Sequence, residues 1–192
     1  ETLYAPKQTR SSTPRPTLIN VGSLEKHKGQ RKLVAIMTSI VKLYPSAKLI
    51  LVGDGPDQDR LRNDIDKTGI TEYVSFTGKL MQDAIAAELK KADLYVSASE
   101  YETFGVAIVE ALMTGLPVVT TPSGGPQEFI DTRNGLITEG HSEAAIIDGI
   151  TTAVKNIDDY ASSDIAADAR ARFGMHNVGT QINDCYTQAL DG

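Results

Sequence analysis

Short apolar runs that alternate with amphipathic segments constrain the fold of this chain more than any other feature of its sequence. The runs Thr17–Val21 and Lys48–Val52 have the length of strands, and each is followed directly by a glycine. The segments between such runs, for example residues 29–44, repeat apolar residues at the spacing of one helical face. Strands that alternate with helices form parallel sheets with right-handed crossovers. We therefore predict an α/β fold, a Rossmann-like doubly wound sheet of about six parallel strands with helices on both faces.

The same pattern predicts where the individual elements lie. The predicted strands are residues 17–21, 48–52, 73–77, 93–98 and 117–120. The predicted helices are residues 29–44, 57–67, 82–91, 104–114, 142–156, 158–172 and 177–190, so only helices are expected beyond Gly135. The polar, Pro-interrupted residues 1–16 are predicted to be a linker, and residues 17–192 a single domain.

Charge and cysteine content exclude several classes of protein. Lys and Arg number 19 against 25 Asp and Glu, a net charge of −6, so we expect no nucleic-acid partner. The longest apolar runs stop far short of the about 20 residues that a membrane-spanning helix needs. No signal sequence opens the chain, and its single cysteine, Cys185, cannot form an internal disulfide, so we expect a soluble, cytoplasmic protein. The chain begins at Glu1 without an initiating Met, and we expect it to be a piece of something longer.

The loop after the first predicted strand carries a glycine at each end and three basic residues, Lys26, His27 and Lys28, just before a helix. Ligands of doubly wound sheets bind at this edge, where strands end and helices begin. Free amides, the helix dipole and a lysine favour the binding of an anion there, and a phosphate group is the natural ligand. A solvated basic turn explains these residues equally well.

The loop after the second strand, Gly53-Asp54-Gly55-Pro56, looks at first like half of a dinucleotide fingerprint. The third glycine of that fingerprint would fall at Gln58, so an NAD-type site is disfavoured. Asp57 to Asp59 and Asp64 to Asp66 match an Asp-x-Asp spacing that can hold a divalent metal. We interpret these acids as helix-surface residues, because metal ligands must converge from a strand end or a cleft, and we predict no metal site.

The strongest signal lies in residues 97–120. Glu102 follows an apolar strand, Thr103 is a candidate cap, and Phe104-Gly105 are predicted to open a helix whose free amides can hold a diphosphate or a polarised sugar hydroxyl. Gly105 lets a ligand approach the backbone closely. Glu110 follows in an otherwise apolar part of the helix and needs a partner. It is either a structural group held by neighbouring donors or an acceptor for a vicinal hydroxyl pair, whereas ordinary loop solvation is the alternative for Glu102.

Glu102 and Glu110 are embedded in a set of strand-end motifs. These motifs are Val21-Gly22-Ser23-Leu24 with Lys28-Gly29, Val52-Gly53-Asp54-Gly55-Pro56, Phe76-Thr77-Gly78, Ala92-Asp93-Leu94, Glu102-Thr103-Phe104-Gly105, and Glu110-Ala111-Leu112 through Gly115-Leu116-Pro117-Val118-Val119. Together they resemble the C-terminal half of retaining glycosyltransferases of the GT-B fold, the group 1 family, over most of the chain. Two glutamates at this spacing are weak evidence as a bare pattern, but the surrounding motifs make the resemblance specific.

The resemblance implies a role for individual residues. It implies that Glu102 is the catalytic residue against the donor sugar and that Glu110 takes the ribose hydroxyls of a nucleotide-diphosphate sugar. Lys28 would contact the diphosphate, helped by the amides of Phe104 and Gly105. The other donor-binding residues that it implies are Gly22, Ser23, Gly53, Gly78, Lys79 and Leu80, of which the last three would border the base.

Ser23 departs from the family pattern, since many members carry arginine directly after the first glycine. Serine brings no charge and one short hydroxyl, so a bidentate clamp on phosphate is lost there. Either Lys28 with the helix-end amides suffices, or Lys26, His27 or the missing domain compensates.

The resemblance also implies what the whole protein does. Residues 17–192, with their closing C-terminal helices, would be the donor-binding half of a retaining hexosyltransferase that acts on a glycan or lipid-linked acceptor, and residues 1–16 an interdomain linker. A separate N-terminal domain of the same polypeptide would hold the acceptor, so the isolated chain would be inactive. No cofactor is expected besides the donor substrate. A lipid-linked acceptor, as in bacterial surface-polysaccharide assembly, would bring the full-length protein to the inner face of the cell membrane.

Two other functions stay open at this point, a non-catalytic module that binds nucleotide sugars and a sugar-nucleotide epimerase of the same architecture. The remaining candidate ligands have ordinary interpretations. We interpret His141 and His176 as surface or packing histidines, because no second ligand is near in sequence, and Cys185 as a buried inert thiol. The stretch from Arg172 to His176 and onward also resembles the closing helix of the family, which crosses back to the first domain, and ordinary packing fits it equally well.

Overall fold

The computed structural model of the chain describes Tyr4 and residues 16–190. The predicted linker 1–16 therefore lies largely outside the described residues. Within the last helix, the side chains outside the description are those of His176, Gln181, Ile182, Asp184, Cys185 and Gln188. The predictions for His176 and Cys185 fall on these side chains.

One parallel sheet organises the described residues. Its strands are β1 Thr17–Val21, β2 Lys48–Val52, β3 Val74–Gly78, β4 Leu94–Ser97, β5 Val118–Thr120 and β6 Gly135–Ile137. They form a 6-stranded sheet in the order β3-β2-β1-β4-β5-β6, and every pairing is parallel. This is the order of a doubly wound sheet, so the predicted Rossmann-like α/β fold is confirmed.

Helices cover both faces of the sheet. They are α1 Gln30–Leu43, α2 Gln58–Thr68, α3 Gln82–Lys91, α4 Val106–Met113, α5 Glu143–Lys155, α6 Ser162–Phe173 and α7 Met175–Leu190. On one face α1 contacts α2 and α5, and on the other α4 contacts α3 and α6, on which α7 packs. The helix α1 shows why the layers form, since Leu33, Ile36, Met37 and Ile40 share one side of it and are each at most 1% exposed.

The strand β6 corrects the prediction that only helices follow Gly135. It has three residues and begins with a glycine, so it is too short to show a strand pattern in the sequence. It pairs with β5, and a Cβ at Gly135 would lie 2.1 Å from the carbonyl oxygen of Val118. The predicted helix 158–172 is also divided, because a 3-10 turn at Ile157–Asp159 precedes α6.

The strand order reverses between β1 and β4, which are neighbours in the sheet. After β1 the chain enters α1 on one face, and after β4 it enters α4 on the other. The carboxyl ends of these two strands therefore mark the point at which the chain switches from one face of the sheet to the other, and a crevice is expected there. Doubly wound proteins bind ligands in such a crevice, so the residues after β1 and β4 are the first candidates for a functional site.

Within the described residues, none of the helices combines the length and the apolarity needed to cross a bilayer.

Candidate functional site

Lys28 and Glu102, predicted from two different loops, are in direct contact at this edge of the sheet. Lys28 ends a 3-10 turn at Lys26–Lys28 after β1, and Glu102 lies in the loop after β4. The Lys28 Nζ is 2.9 Å from each carboxylate oxygen of Glu102. Ser99 also donates its hydroxyl to the Glu102 Oε1 at 2.8 Å. The Glu102 side chain is 16% exposed, so these donors hold its carboxylate in a sheltered but accessible place.

Main-chain and ring contacts hold the two loops together around this pair. The amide of Glu100 donates to the carbonyl oxygen of His27 at 2.8 Å. The rings of His27 and Tyr101 stack, with centroids 4.9 Å apart and planes at 12°. Gly29, at φ +72°, lies so close to β4 that a Cβ would be 2.0 Å from the carbonyl oxygen of Ala98. The loops after β1 and β4 thus form one wall of the crevice.

The start of α4 differs from the prediction. The helix begins at Val106 rather than at Phe104, and the residue that precedes it is Gly105 at φ +89°. No side chain caps this end, so the expectation that Thr103 is the cap is wrong, because the left-handed turn at Gly105 sets the start of the helix instead. Within the described part of the chain, the amides of residues 104–107 donate no main-chain hydrogen bond. Several unused donors therefore lie beside Glu102, as an anion site requires.

Aromatic packing holds the residue just before this turn. Phe104 is 44% exposed, and its ring meets those of Phe129 and Phe173 with centroid distances of 5.7 and 5.6 Å. A Cβ at Gly105 would meet the side chains of Pro126 and Ile108 at 3.2 and 3.3 Å. The predicted donor residues Phe104 and Gly105 are therefore fixed in position by their neighbours.

Glu110 lies one helical turn beyond the start of α4 and has one hydrogen-bond partner for its side chain among the described residues. The Tyr4 hydroxyl donates to the Glu110 Oε1 at 2.8 Å. The guanidinium of Arg170, on α6, donates to the Tyr4 carbonyl oxygen at 2.7 Å and to that of Met113 at 3.3 Å. Burial, and then the neighbouring Glu110, raise the pKa of the Tyr4 hydroxyl well above its ordinary value.

Tyr95, a buried residue of β4, connects this strand to the carboxyl end of β1. Its hydroxyl donates to the carbonyl oxygen of Val21, at the end of β1, at 3.2 Å. Burial raises the pKa of this hydroxyl, and the negative charges of Glu102 and Glu110 raise it further.

The predicted glycines after β1, β2 and β3 lie side by side at the carboxyl edge of the sheet. Gly22 donates its amide to Val52 at 3.0 Å, and Gly53 donates to Gly78 at 2.9 Å. A Cβ at Gly53, which has φ +129°, would lie 2.0 Å from the carbonyl oxygen of Gly22. These glycines allow the close approach of neighbouring loops, and a direct role of theirs in donor binding stays a prediction.

The other predicted residues lie around this row. Ser23 is exposed, and its carbonyl oxygen accepts from the Gln30 side chain at 2.9 Å. Lys79 is exposed and Leu80 is partly buried just after β3, two strands away from β1. Lys26, one candidate to compensate for Ser23, lines an adjoining groove of about 760 Å³ between α1 and α2. His27, the other candidate in this chain, stacks on Tyr101 and lies 3.5 Å from the Glu25 carboxylate.

The acids of the two Asp-x-Asp pairs lie along α2 and its start. Asp64 accepts from the Arg31 guanidinium at 2.7 Å, and this hydrogen bond holds the pKa of Asp64 below its usual range. Over the described residues, no three His, Cys, Asp or Glu side chains are grouped so that they could hold a metal ion. His141 is half-buried before α5, and its Nδ1 has no hydrogen-bond partner among the described residues.

Sequence reasoning did not identify Tyr4, Tyr95 or Ser99 as parts of the site. Ser99 lies three residues before Glu102 at the start of the same loop, so this spacing was a usable signal. Tyr95 lies inside an apolar strand and Tyr4 in a polar segment, and neither position carries a local pattern that indicates a partner 70 or more residues away.

Residues 4–170 match the model of the family described as glycosyl transferases group 1. The chain is 31% identical over 144 residues to a GDP-mannose-dependent alpha-(1-6)-phosphatidylinositol monomannoside mannosyltransferase of Mycobacterium tuberculosis, covering 71% of this chain and 37% of that protein. It is 30% identical over 189 residues to a glycogen synthase of the same species, covering 95% of this chain and 45% of that one. The chain thus spans less than half the length of these curated relatives.

Several solved structures share the fold of this chain. The structure of Anabaena HepE in complex with UDP-glucose has a TM-score of 0.79 and 27% identity, and the match covers 97% of this chain and 55% of that one. A sucrose-phosphate synthase from Thermosynechococcus elongatus has a TM-score of 0.83 over 99% of this chain and 50% of that one. At 23% identity, the synthase supports the fold alone.

Proposed function

This chain belongs to the glycosyl transferases group 1 family, and from that premise we propose that it is the donor-binding half of a retaining glycosyltransferase. The donor is a nucleotide-diphosphate sugar, whose hexose passes to a glycan or lipid-linked acceptor. The observation that carries the proposal is the contact between Lys28 and Glu102, beside the unused amides at the start of α4. It brings a cation, an acid and anion-binding amides to one point of the crevice.

The Lys28 ammonium can hold Glu102 beside the donor sugar and also donate to the diphosphate. It has three N–H donors, and the Glu102 oxygens account for two of them. The third is available for a phosphate oxygen, and the amides of residues 104–107 supply more donors from the other side. As the glycosidic bond stretches, negative charge grows on the departing diphosphate, and preorganised donors stabilise that charge. Lys28 therefore lies at the junction of sugar and diphosphate.

Glu102 is the acid that we place against the donor sugar. Most glycosidases set two carboxyl groups on either side of the bond that breaks. Here the second acid, Glu110, is placed on the ribose, where its free oxygen accepts hydroxyl protons. A single acid at the sugar favours attack from the side of the departing diphosphate, through an oxocarbenium-like state and with retention of configuration. Glu102 would stabilise positive charge on the ring, and Lys28 and Ser99 keep it in place.

The acceptor is held by an N-terminal domain of the same polypeptide, joined through residues 1–16. The lengths of the relatives support this, because the chain accounts for 37% and 45% of two of them. One relative is named for a phosphatidylinositol mannoside acceptor, which supports a lipid-linked acceptor and peripheral contact with the inner face of the cell membrane. Alone, the chain would bind its donor and transfer little sugar.

Calorimetry with UDP, GDP and ADP, followed by transfer assays on the intact protein, tests this function. We expect one nucleoside diphosphate to bind and its sugar to be transferred, with the anomeric configuration of the product, read by NMR, the same as that of the donor. Binding without turnover by the intact protein would indicate a non-catalytic module. Isomerised donor formed with no acceptor present would indicate an epimerase, and an inverted product would rule out retention.

A further inference from the structure

Tyr4 bonds to the helix that carries Glu110, although the two residues are far apart in sequence. Its hydroxyl donates to the Glu110 Oε1 at 2.8 Å across a sequence separation of 106 residues. Its main chain is fixed independently, because the Arg170 guanidinium donates to the Tyr4 carbonyl oxygen at 2.7 Å. The same guanidinium reaches the carbonyl oxygen of Met113 at the end of α4. Tyr4 is thus attached to both α4 and α6, with its ring directed at Glu110.

Glu110 needs such an attachment if it is to bind a diol. A glutamate side chain has three rotatable bonds, and a pair of vicinal hydroxyls is recognised well only by a carboxylate whose plane is fixed. In the described part of the chain, no donor other than the Tyr4 hydroxyl bonds to the Glu110 carboxylate. That bond uses Oε1 and leaves Oε2 available as an acceptor. One oxygen is therefore held while the other can face a ligand.

On the basis of the proposed function, we propose that Tyr4 is a positioning residue for the nucleotide ribose. Its hydroxyl fixes the Glu110 carboxylate so that the free oxygen meets the 2′- and 3′-hydroxyls. Tyr4 then becomes part of the nucleotide site, although it precedes the first strand of the sheet. Burial and the Glu110 charge raise the Tyr4 pKa, so the hydroxyl remains a donor through the neutral pH range.

The variant Tyr4→Phe tests this role, because it removes the hydroxyl and keeps the ring. Calorimetry on the intact protein would compare UDP, GDP and ADP with their 2′,3′-dideoxy counterparts. The matched control is Tyr44→Phe, since Tyr44 follows the far end of α1 and is also partly buried. We expect Tyr4→Phe to weaken binding of the ribonucleotide about 3- to 10-fold and that of its dideoxy counterpart less than about 2-fold, as the loss of one oriented hydrogen bond predicts. The control should leave both affinities as they are.

Every other result overturns the inference. Equal weakening of both nucleotides would mean that Tyr4 only supports the fold, and unchanged affinities would mean that Glu110 is positioned without it. Tighter binding of the ribonucleotide would mean that the Tyr4 hydroxyl competes for the ribose place on Glu110. If the unmodified protein binds none of the three nucleoside diphosphates, the proposed function itself fails, and the role of Tyr4 fails with it.

Discussion

The ammonium of Lys28 lies 2.9 Å from both oxygens of the Glu102 carboxylate, although 74 residues separate the two along the chain. The contact exists because β1 and β4 are neighbours in the sheet and the loops that follow them meet. The resemblance to the family assigns one residue to the diphosphate and the other to the sugar. On the proposed function, their contact would put the bond between sugar and diphosphate next to this pair.

Replacing Glu102 should reduce turnover far more than nucleotide affinity. In Glu102→Gln the size of the side chain is kept, but the charge that would stabilise the sugar ring in the transition state is lost. We expect kcat of the intact protein to fall by about 100-fold or more, while the Kd of the nucleoside diphosphate changes less than about 3-fold. Glu100→Gln, in the same loop but exposed, is the matched control. Near-normal turnover in Glu102→Gln would contradict the catalytic role.

Removing the Lys28 charge should weaken binding of the diphosphate. In Lys28→Met the apolar stem remains, but a phosphate loses a charged donor, and Glu102 keeps only the Ser99 hydroxyl among its described side-chain partners. We expect the Kd of the nucleoside diphosphate to rise about 10-fold, the loss of a charge-assisted hydrogen bond. Calorimetry measures this Kd, and the control is Lys67→Met, at an exposed position of α2. An unchanged Kd would place the diphosphate elsewhere.

Gly29 and Gly69 form a matched pair of positions that tests how tightly the loops after β1 and β4 pack. Both have left-handed backbone, at φ +72° and +70°, but a Cβ would lie 2.0 Å from the Ala98 carbonyl oxygen at Gly29 and meets nothing within 4 Å at Gly69. We expect Gly69→Ala to lower the free energy of unfolding by about 1 kcal/mol, and Gly29→Ala by more than about 3 kcal/mol. Urea unfolding measures both. Equal losses of unfolding free energy in the two variants would mean that the backbone around Gly29 and Ala98 adjusts to the added Cβ without cost.

The ion pair of Asp64 with Arg31 should stabilise the fold in a pH-dependent way. Arg31 lowers the pKa of the folded Asp64, so the contribution is present above the pKa of the unfolded state and is lost as pH falls through the folded pKa. Because the Arg31 side chain is 56% exposed, we expect a coupling of only about 0.2 to 1 kcal/mol at pH 7. A double-mutant cycle of Asp64→Asn and Arg31→Met, measured by urea unfolding near neutral and at strongly acidic pH, tests it. Coupling that persists in acid would contradict this assignment.

The apolar runs, and the glycines that directly follow them, predicted most of the fold. The strands β1 and β2 match the prediction at both ends, because long runs buried on both faces carry a strong pattern. The strand β6 was missed because three residues are too few to show an apolar pattern. The start of α4 was placed at Phe104 because nothing in the sequence distinguishes a left-handed glycine before a helix from a glycine inside its first turn.

The candidate site was predictable to the extent that its residues belong to local motifs. Glu102, Glu110, Lys28 and the glycines lie in such motifs, and the structure brings Lys28 and Glu102 together. Tyr4 and Tyr95 gain their place only through tertiary contacts with residues far away in sequence, and periodicity carries no information about such pairs.

Mutual neutralisation of Lys28 and Glu102 has a consequence for the kinetics of encounter. The chain carries a net charge of −6, and a nucleoside diphosphate is itself an anion, so the two repel at long range. The lysine that would offset this repulsion already faces a carboxylate at 2.9 Å. On the proposed function, capture of the donor by this chain would therefore depend on short-range fit rather than on electrostatic steering. The association rate constant should rise with ionic strength as screening shortens the reach of the repulsion.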